Sequence, residues 1–235
     1  MPRIELLCLA NSIKLGGRCV AGLRTDGSGW LRPVGPGDGT LYPAHYILED
    51  LSEPGLMDVI ALEVSRHEPA AHQPENWLID GQPWELVRRP ASLAARDLLR
   101  GALCNGPDLL GGTTDRESFA RFEETPGVAS LTVILPESLR WLVSTDEAKR
   151  KTRARFSLAG ANYDLSVTDP HWRQSLTALP DGEHRWGSLS EEAGKQPLLT
   201  ISLGEPFEGD CYKLVAAVLP IRQETAAYIA GRPQR

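Results

Sequence analysis

The stretch Arg18-Cys19-Val20-Ala21-Gly22-Leu23-Arg24-Thr25-Asp26-Gly27-Ser28-Gly29-Trp30-Leu31-Arg32-Pro33-Val34 decides the reading of the chain. Arg18 to Leu23 is a short, largely apolar run, and Trp30 to Val34 is another. Between them Asp26-Gly27-Ser28-Gly29 supplies turn chemistry. Glycine takes positive φ without steric cost, and an aspartate carboxylate bonds the backbone two residues on. Upstream, Ile4 to Ala10 is a third apolar run, joined to Arg18 through Lys14, Gly16 and Gly17. Three short strands with two tight connections predict a β-meander. Gly35 to Pro43, rich in Gly and Pro, is loop.

The same pattern continues outward. Asp58 to Ser65 sets Val59, Ala61 and Glu63 against Ile60, Leu62 and Val64, the period of two that marks a strand. His67 to Pro74 reads as loop. Trp77 to Ile79 and Trp84 to Val87, joined by Asp80-Gly81-Gln82-Pro83, read as a second hairpin. Ser92 to Leu103 is the clearest helix, with Ser92 as its cap. Asn105 to Gly127 holds at most a turn or two of helix near Glu117 to Glu123. The domain boundary falls there, giving units 1–126 and 127–235. Ser130 to Leu135 starts a new β segment, and Thr152 to Leu158 with Tyr163 to Thr168 form a hairpin around Ala159-Gly160-Ala161-Asn162. Asp169-Pro170 stops that hairpin and opens a short helix to Leu176. Pro180 to Gln196 is polar and loop-like. Leu198 to Leu203 and Tyr212 to Leu219 supply closing strands, and Gln223 to Ala230 a terminal helix. No strand–helix alternation supports a parallel α/β sheet. The expected fold is mainly β with a few short helices: two small Greek-key barrels in tandem. One β-sandwich with a helical insert is the structural alternative.

Composition bounds the function. At 235 residues, 41% hydrophobic and 24% charged, the chain has material for two cores. No stretch approaches the ~18 apolar residues of a membrane span, and the first ten residues, which include Glu5, lack the apolar core of a signal peptide. A cytoplasmic protein with no membrane partner is expected. Cys8, Cys19, Cys104 and Cys211 are scattered without a Cys-x-x-Cys pair, which fits free thiols and neither a disulfide framework nor a zinc ribbon. No metal site or cofactor is expected. The net charge of -6 argues against indiscriminate polynucleotide binding. The charge is nevertheless segregated: Val34 to Ser65 carries six acids and no Lys or Arg, whereas Lys149 to Arg155 carries five bases and no acid. A local basic surface is compatible with that distribution.

Several ordered stretches resemble one family. They are Lys14-Leu15-Gly16-Gly17-Arg18-Cys19-Val20-Ala21-Gly22 with Gly29-Trp30-Leu31-Arg32-Pro33-Val34, then Gln73-Pro74-Glu75-Asn76-Trp77. Val167-Thr168-Asp169-Pro170, Ser202-Leu203-Gly204-Glu205-Pro206 and Cys211-Tyr212-Lys213-Leu214-Val215-Ala216 follow in the same order. This set resembles the dual OB-containing proteins of bacteria. The resemblance implies two OB-like barrels and an association with nucleic-acid processing or defence systems. It implies no agreed catalytic activity.

The candidate site residues fall into four groups. Lys14, Arg18, Trp30 and Arg32 combine cations with a flat ring, the mixture with which OB barrels hold nucleic acid; against this, Trp30 is core and the cations are paired with Asp26 and Glu49. Asn76, walled by Trp77, offers the donor and acceptor that suit an adenine-like edge; the favoured alternative is an Asx-type turn with Trp77 buried. Thr168 and Asp169, with Tyr212 and Lys213, suggest a polar pocket for a catalytic alternative, although Asp169 more simply caps the helix begun by Pro170. Lys149, Arg150, Lys151 and Arg153 read as a solvated connection that can also meet a phosphate backbone. Catalytic residues cannot be assigned. A protein that binds nucleic acid or a nucleotide is the leading reading, ahead of an enzyme acting through Asp169 and Lys213 and of an adaptor with a protein partner.

Overall fold

The computed structural model describes residues 2–89, 95–147 and 149–231. The meander forms as expected. β1 (Arg3–Lys14), β2 (Gly17–Arg24) and β3 (Trp30–Val34) pair antiparallel in sequence. At the first turn Leu15 and Gly16 take φ of 44° and 84°, the two positive values that match a two-residue turn to the twist of its strands. A short helix, α1 (Pro43–Tyr46), leads to β4 (Val59–His67), β5 (Asn76–Ile79) and β6 (Glu85–Arg88). β3 pairs parallel with β5, β5 antiparallel with β4, and β4 returns to β1. The result is a closed five-stranded barrel of order β1-β2-β3-β5-β4. β1 serves two neighbours, β4 through Arg3–Leu7 and β2 through Leu6–Lys14, with a bulge between Cys8 and Ala10 of the kind that bends a strand around a barrel. Leu6, Cys8, Val20, Leu31, Ile60, Leu62 and Trp84 fill the interior.

The hairpin expected at residues 77–87 is not formed. β5 and β6 both pair with β4, β5 with Val64–His67 and β6 with Val59–Ala61. They are two halves of one interrupted strand. Gly81, at φ 85°, and Pro83 break the ladder between them, and Trp84 turns fully into the core.

After the barrel comes α2 (Ala95–Ala102); Ser92, its expected cap, lies outside the described residues. β7 (Arg116–Ser118), α3 (Phe119–Glu124), β8 (Leu131–Ile134), β9 (Ser138–Asp146), β10 (Lys149–Leu158) and β11 (Ala161–Val167) follow. Then come α4 (Pro170–Thr177), β12 (Gly182–Arg185), β13 (Lys195–Phe207), β14 (Asp210–Arg222) and α5 (Gln223–Ile229). The sheet runs β12-β9-β10-β11-β14-β13-β8, with β7 on β14. Within it, β9-β10-β11-β14-β13 repeats the strand order of the barrel, including the parallel pairing of third and fifth strands, here β11 with β14. The closing pair is absent among the described residues: β12 sits on β9 and β8 on β13, so this sheet is open.

Two sequence expectations change here. Lys149 to Arg155 is not a connection but the body of β10. Pro180 to Gln196 is not featureless loop: it carries β12 and a 3-10 turn at Ser190–Glu192. The buried Glu192 carboxylate pins this strap, accepting from Trp141 Nε1 at 2.6 Å, Gly187 N at 2.8 Å and Leu189 N at 2.9 Å. Beneath it Trp141 stacks on Trp172, with ring centroids 5.4 Å apart, and Trp172 on Trp186 of the strap.

The halves share an apolar layer. Leu7, Leu9, Ala21 and Leu23 from the barrel pack with Leu131, Val133, Leu198 and Ala217 from the second sheet. Leu109, Leu110 and Phe122, which precede residue 127, belong to the core of the second sheet. Among the described residues no helix is long and apolar enough to cross a membrane.

Candidate nucleic-acid interface

Alternation along β3 sends Leu31 into the barrel and turns Trp30 and Arg32 toward the second sheet. Trp30 is half-buried in the shared layer. Arg32 is 2% exposed, and its Nη2 donates to Glu75 Oε1 at 2.9 Å, Ser130 Oγ at 2.7 Å and Ser202 Oγ at 3.2 Å. Burying a guanidinium is tolerable only with such partners. Lys14 Nζ lies 2.7 Å from Glu205 Oε1, and His72 Nε2 lies 3.0 Å from the other oxygen. His72 first, and Lys14 after it, hold the Glu205 carboxyl down at about 2 despite partial burial. Arg18 forks onto Glu53 through Nε at 3.1 Å and Nη2 at 3.3 Å. These four residues therefore make no single exposed face: Trp30, Arg32 and Lys14 all turn onto the second sheet, and Arg18 is paired with Glu53 on the first barrel. A cavity of about 90 Å³ remains at the junction, lined by Lys14, Cys19, Arg32, Gln73, Thr168 and Glu205 among others.

The other candidates are held by their neighbours. Asn76 is buried, donating to Gln73 Oε1 at 3.3 Å, and Trp77 packs half-buried on the barrel core beside the His67 ring. Thr168 Oγ1 donates to the Val215 carbonyl at 3.3 Å. Asp169 caps α4: one oxygen accepts from Trp172 N and the other from Val218 N, both at 3.1 Å. Burial pushes its pKa up. Lys213 gives all three protons to Gly112 O (2.9 Å), Thr114 O (2.8 Å) and Glu117 Oε1 (2.9 Å), and burial pushes its pKa down. Asp169 and Lys213 thus engage different partners and are not joined by a hydrogen bond.

The basic run has a different fate. Along β10, Thr152, Ala154, Phe156 and Leu158 point inward, so Lys151, Arg153, Arg155 and Ser157 point outward. Register then adds what sequence spacing hides. Arg155 stands opposite Arg140 of β9 on one side and Asp164 of β11 on the other, and Arg140 stands opposite Arg185 of β12. Three arginines form one row across three adjacent strands, about 10 Å long at ~4.8 Å per strand. Arg153 occupies the next row, between Leu142 and Ser166.

Like charges placed directly opposite destabilise a sheet, and this row is only partly compensated. Asp164 accepts from Arg153 and, at 2.8 Å, from Arg155. Glu183 accepts from Arg155 at 2.6 Å and from Arg140 at 3.5 Å. Lys151 pairs with Asp146, and Arg185 is exposed with no ion pair among the described residues. Burial works to raise the Asp164 pKa, but the two arginines keep it below its ordinary value. The same bonds from Asp164 and Glu183 raise that of Arg155. The face holds six cations, Lys149 included, against three carboxylates in a chain of net charge -6. A shallow groove of about 450 Å³ runs along it, lined by Ser138, Arg140, Arg155, Asn162 and Asp164 over Phe156 and Tyr163. Lys149 is exposed at the start of β10. Arg150 instead turns to Thr145 Oγ1 at 3.0 Å, the Thr177 carbonyl at 3.2 Å and Asp181, tying the strand to the end of α4. Sequence reasoning passed over Arg140 and Arg185 because each is a lone cation until the strands are paired.

The family model of the dual OB-containing domain matches residues 4–218. Among solved structures, the crystal structure of the tetrameric p202 HIN2 is similar at 9% identity, covering 94% of this chain and 93% of that one, with a TM-score of 0.29. A likeness that loose carries no argument about function. No curated protein matches the sequence.

Proposed function

The chain belongs to the dual OB-containing domain family, and from that premise we propose that it binds nucleic acid across the outward face of β9, β10, β11 and β12. The observation that carries the reading is the row Arg185–Arg140–Arg155, three cations set side by side in an acidic chain. Such a row lowers the stability of the free sheet and is relieved by a phosphate, which a guanidinium fork matches in shape and charge.

Topology supports the same face. OB barrels bind oligonucleotides on their second and third strands. In the first barrel those strands are β2 and β3, and the outward face of β3 lies against Ser130, Leu131 and Ser202 of the second half. The matching strands of the second sheet are β10 and β11, and their outward side chains are open to solvent or half-buried. We take this sheet as the second OB-like barrel, its β9–β13 seam spanned by the strap around Glu192. In this reading the second unit begins ahead of β7. Lys14, Arg18 and Arg32 hold the two halves together and steady the barrel wall, while Asp169 and Lys213 are structural. Following the family resemblance, the cellular role is an accessory or recognition component of a cytoplasmic, bacterial nucleic-acid-processing or defence system.

Fluorescence polarisation with labelled 20-mer DNA and RNA at two salt concentrations tests the reading. Binding is expected to weaken with salt and to fall about tenfold or more in Arg140→Glu/Arg155→Glu. Undiminished binding by that variant removes this face from the account.

A further inference from the structure

Resting on that reading, we infer that the face takes the sugar–phosphate backbone of a duplex, and not the splayed bases of a single strand. The reason lies in what the outward positions carry. On β9 they are Ser138, Arg140, Leu142, Ser144 and Asp146; on β10, Lys149, Lys151, Arg153, Arg155 and Ser157. On β11 they are Asn162, Asp164 and Ser166, and on β12, Glu183 and Arg185. None is aromatic. The rings of these strands all point the other way: Trp141, Phe156 and Tyr163 are buried, at most 4% exposed, in the core of the second sheet.

Proteins that hold single strands without sequence preference do so by stacking bases on aromatic rings along a basic groove. This face has the basic groove, but the two rings at its floor, Phe156 and Tyr163, are buried in the core and offer no surface on which a base could stack. Its donors are guanidiniums, two ammoniums, hydroxyls and one amide, the groups that contact phosphate and sugar oxygens without reading sequence. For a surface that works by charge alone, the ligand with the denser line of phosphates binds better. A B-form duplex carries a charge every ~1.7 Å of its axis, about twice the density of one strand. The rigid row Arg185–Arg140–Arg155 sits on three paired strands, so it meets a stiff duplex without reorganisation, whereas a flexible single strand must be ordered on it.

The test is a titration of the full chain with two 20-base-pair DNA duplexes of unrelated sequence and with the single strands dT20 and dA20, between 50 and 200 mM salt. The expected result is duplex binding at least about fivefold tighter than either strand, no more than about twofold difference between the duplexes, and a log–log salt slope of about -2.7 to -4.5 from three to five phosphates. Tighter binding of either single strand, or a marked preference of dT20 over dA20, overturns the duplex assignment. Arg140→Glu/Arg155→Glu, with its melting curve as the folding control, separates the two claims. If that variant loses binding while single strands are preferred, the face stands and the ligand class falls. If it binds as the native protein does, or if no oligonucleotide binds at 50 mM salt, both fall.

Discussion

Arg155 on β10 stands directly opposite Arg140 on β9, and the Glu183 carboxylate is the group that bonds both, at 2.6 and 3.5 Å. A phosphate arriving at this face competes with that carboxylate. Glu183→Gln removes the competitor and leaves both guanidiniums in place, so nucleic-acid affinity is expected to rise severalfold. The cost in stability is within the ~1 kcal/mol of a solvent-exposed pair. Polarisation titration and urea denaturation of the same variant check both parts. Unchanged or weaker binding contradicts a phosphate site here.

Arg32 is the pin between the halves. It reaches Glu75 within the first barrel and Ser130 and Ser202 beyond it. Arg32→Ala leaves the Glu75 carboxylate, which is 8% exposed, buried without its cation, and is expected to destabilise by about 3–5 kcal/mol. Arg32→Met/Glu75→Gln removes both charges and is expected to recover most of the loss. Chemical denaturation of the set measures the coupling. Equal stability of the single and double variants shows that the unpaired Glu75 carboxylate is not the source of the loss.

Glu205 gives a pH signature. Its carboxyl is held at about 2 by His72 and Lys14, against 4.5 ordinarily. As pH falls, the unfolded chain takes up this proton first. The stabilisation from Glu205 is therefore complete above pH ~4.5 and is withdrawn as pH drops toward ~2. Melting temperatures of the native protein and Glu205→Gln are expected to differ at pH 6 and to converge near pH 2. A difference that persists at pH 2 shows that packing, and not ionisation, is responsible.

What was legible in the sequence was local. The turns at Leu15-Gly16 and Ala159-Gly160 fall in connections that their glycines mark between short strand-like runs, and all four residues have positive φ. The Asp169 cap could be read because its donor, Trp172 N, is three residues away. The burial of Arg32 could not be read, because Ser130 and Ser202 lie 98 and 170 residues further along. The basic run was visible as charge but misread as a connection, since five cations in seven residues obscure the inward alternation of Thr152, Ala154 and Phe156. The arginine row needed strand register, a long-range property that one-residue slippage erases.

The strap supplies the last prediction. Glu192, 1% exposed, accepts from the indole of Trp141 and from the amides of Gly187 and Leu189. Its 3-10 turn, at Ser190–Glu192, leads into β13, while β12 at the other end of the strap lies on β9. It thus spans the seam that backbone pairing leaves open. Glu192→Ala strands one buried donor, the Trp141 indole, and two half-buried amides, those of Gly187 and Leu189. At roughly 1–3 kcal/mol for each unsatisfied group, with partial rescue by water, the loss is expected to be about 3 kcal/mol. Glu192→Gln keeps one acceptor oxygen and is expected to lose about half as much. Because Trp186 of the strap stacks on Trp172, which stacks on Trp141, release of the strap also changes the surroundings of all three rings. The near-UV circular dichroism of Glu192→Ala is expected to lose intensity below the melting transition while the far-UV spectrum holds. If both spectra remain native until a single unaltered transition, the strap does not close the seam, and the second sheet is stable as an open one.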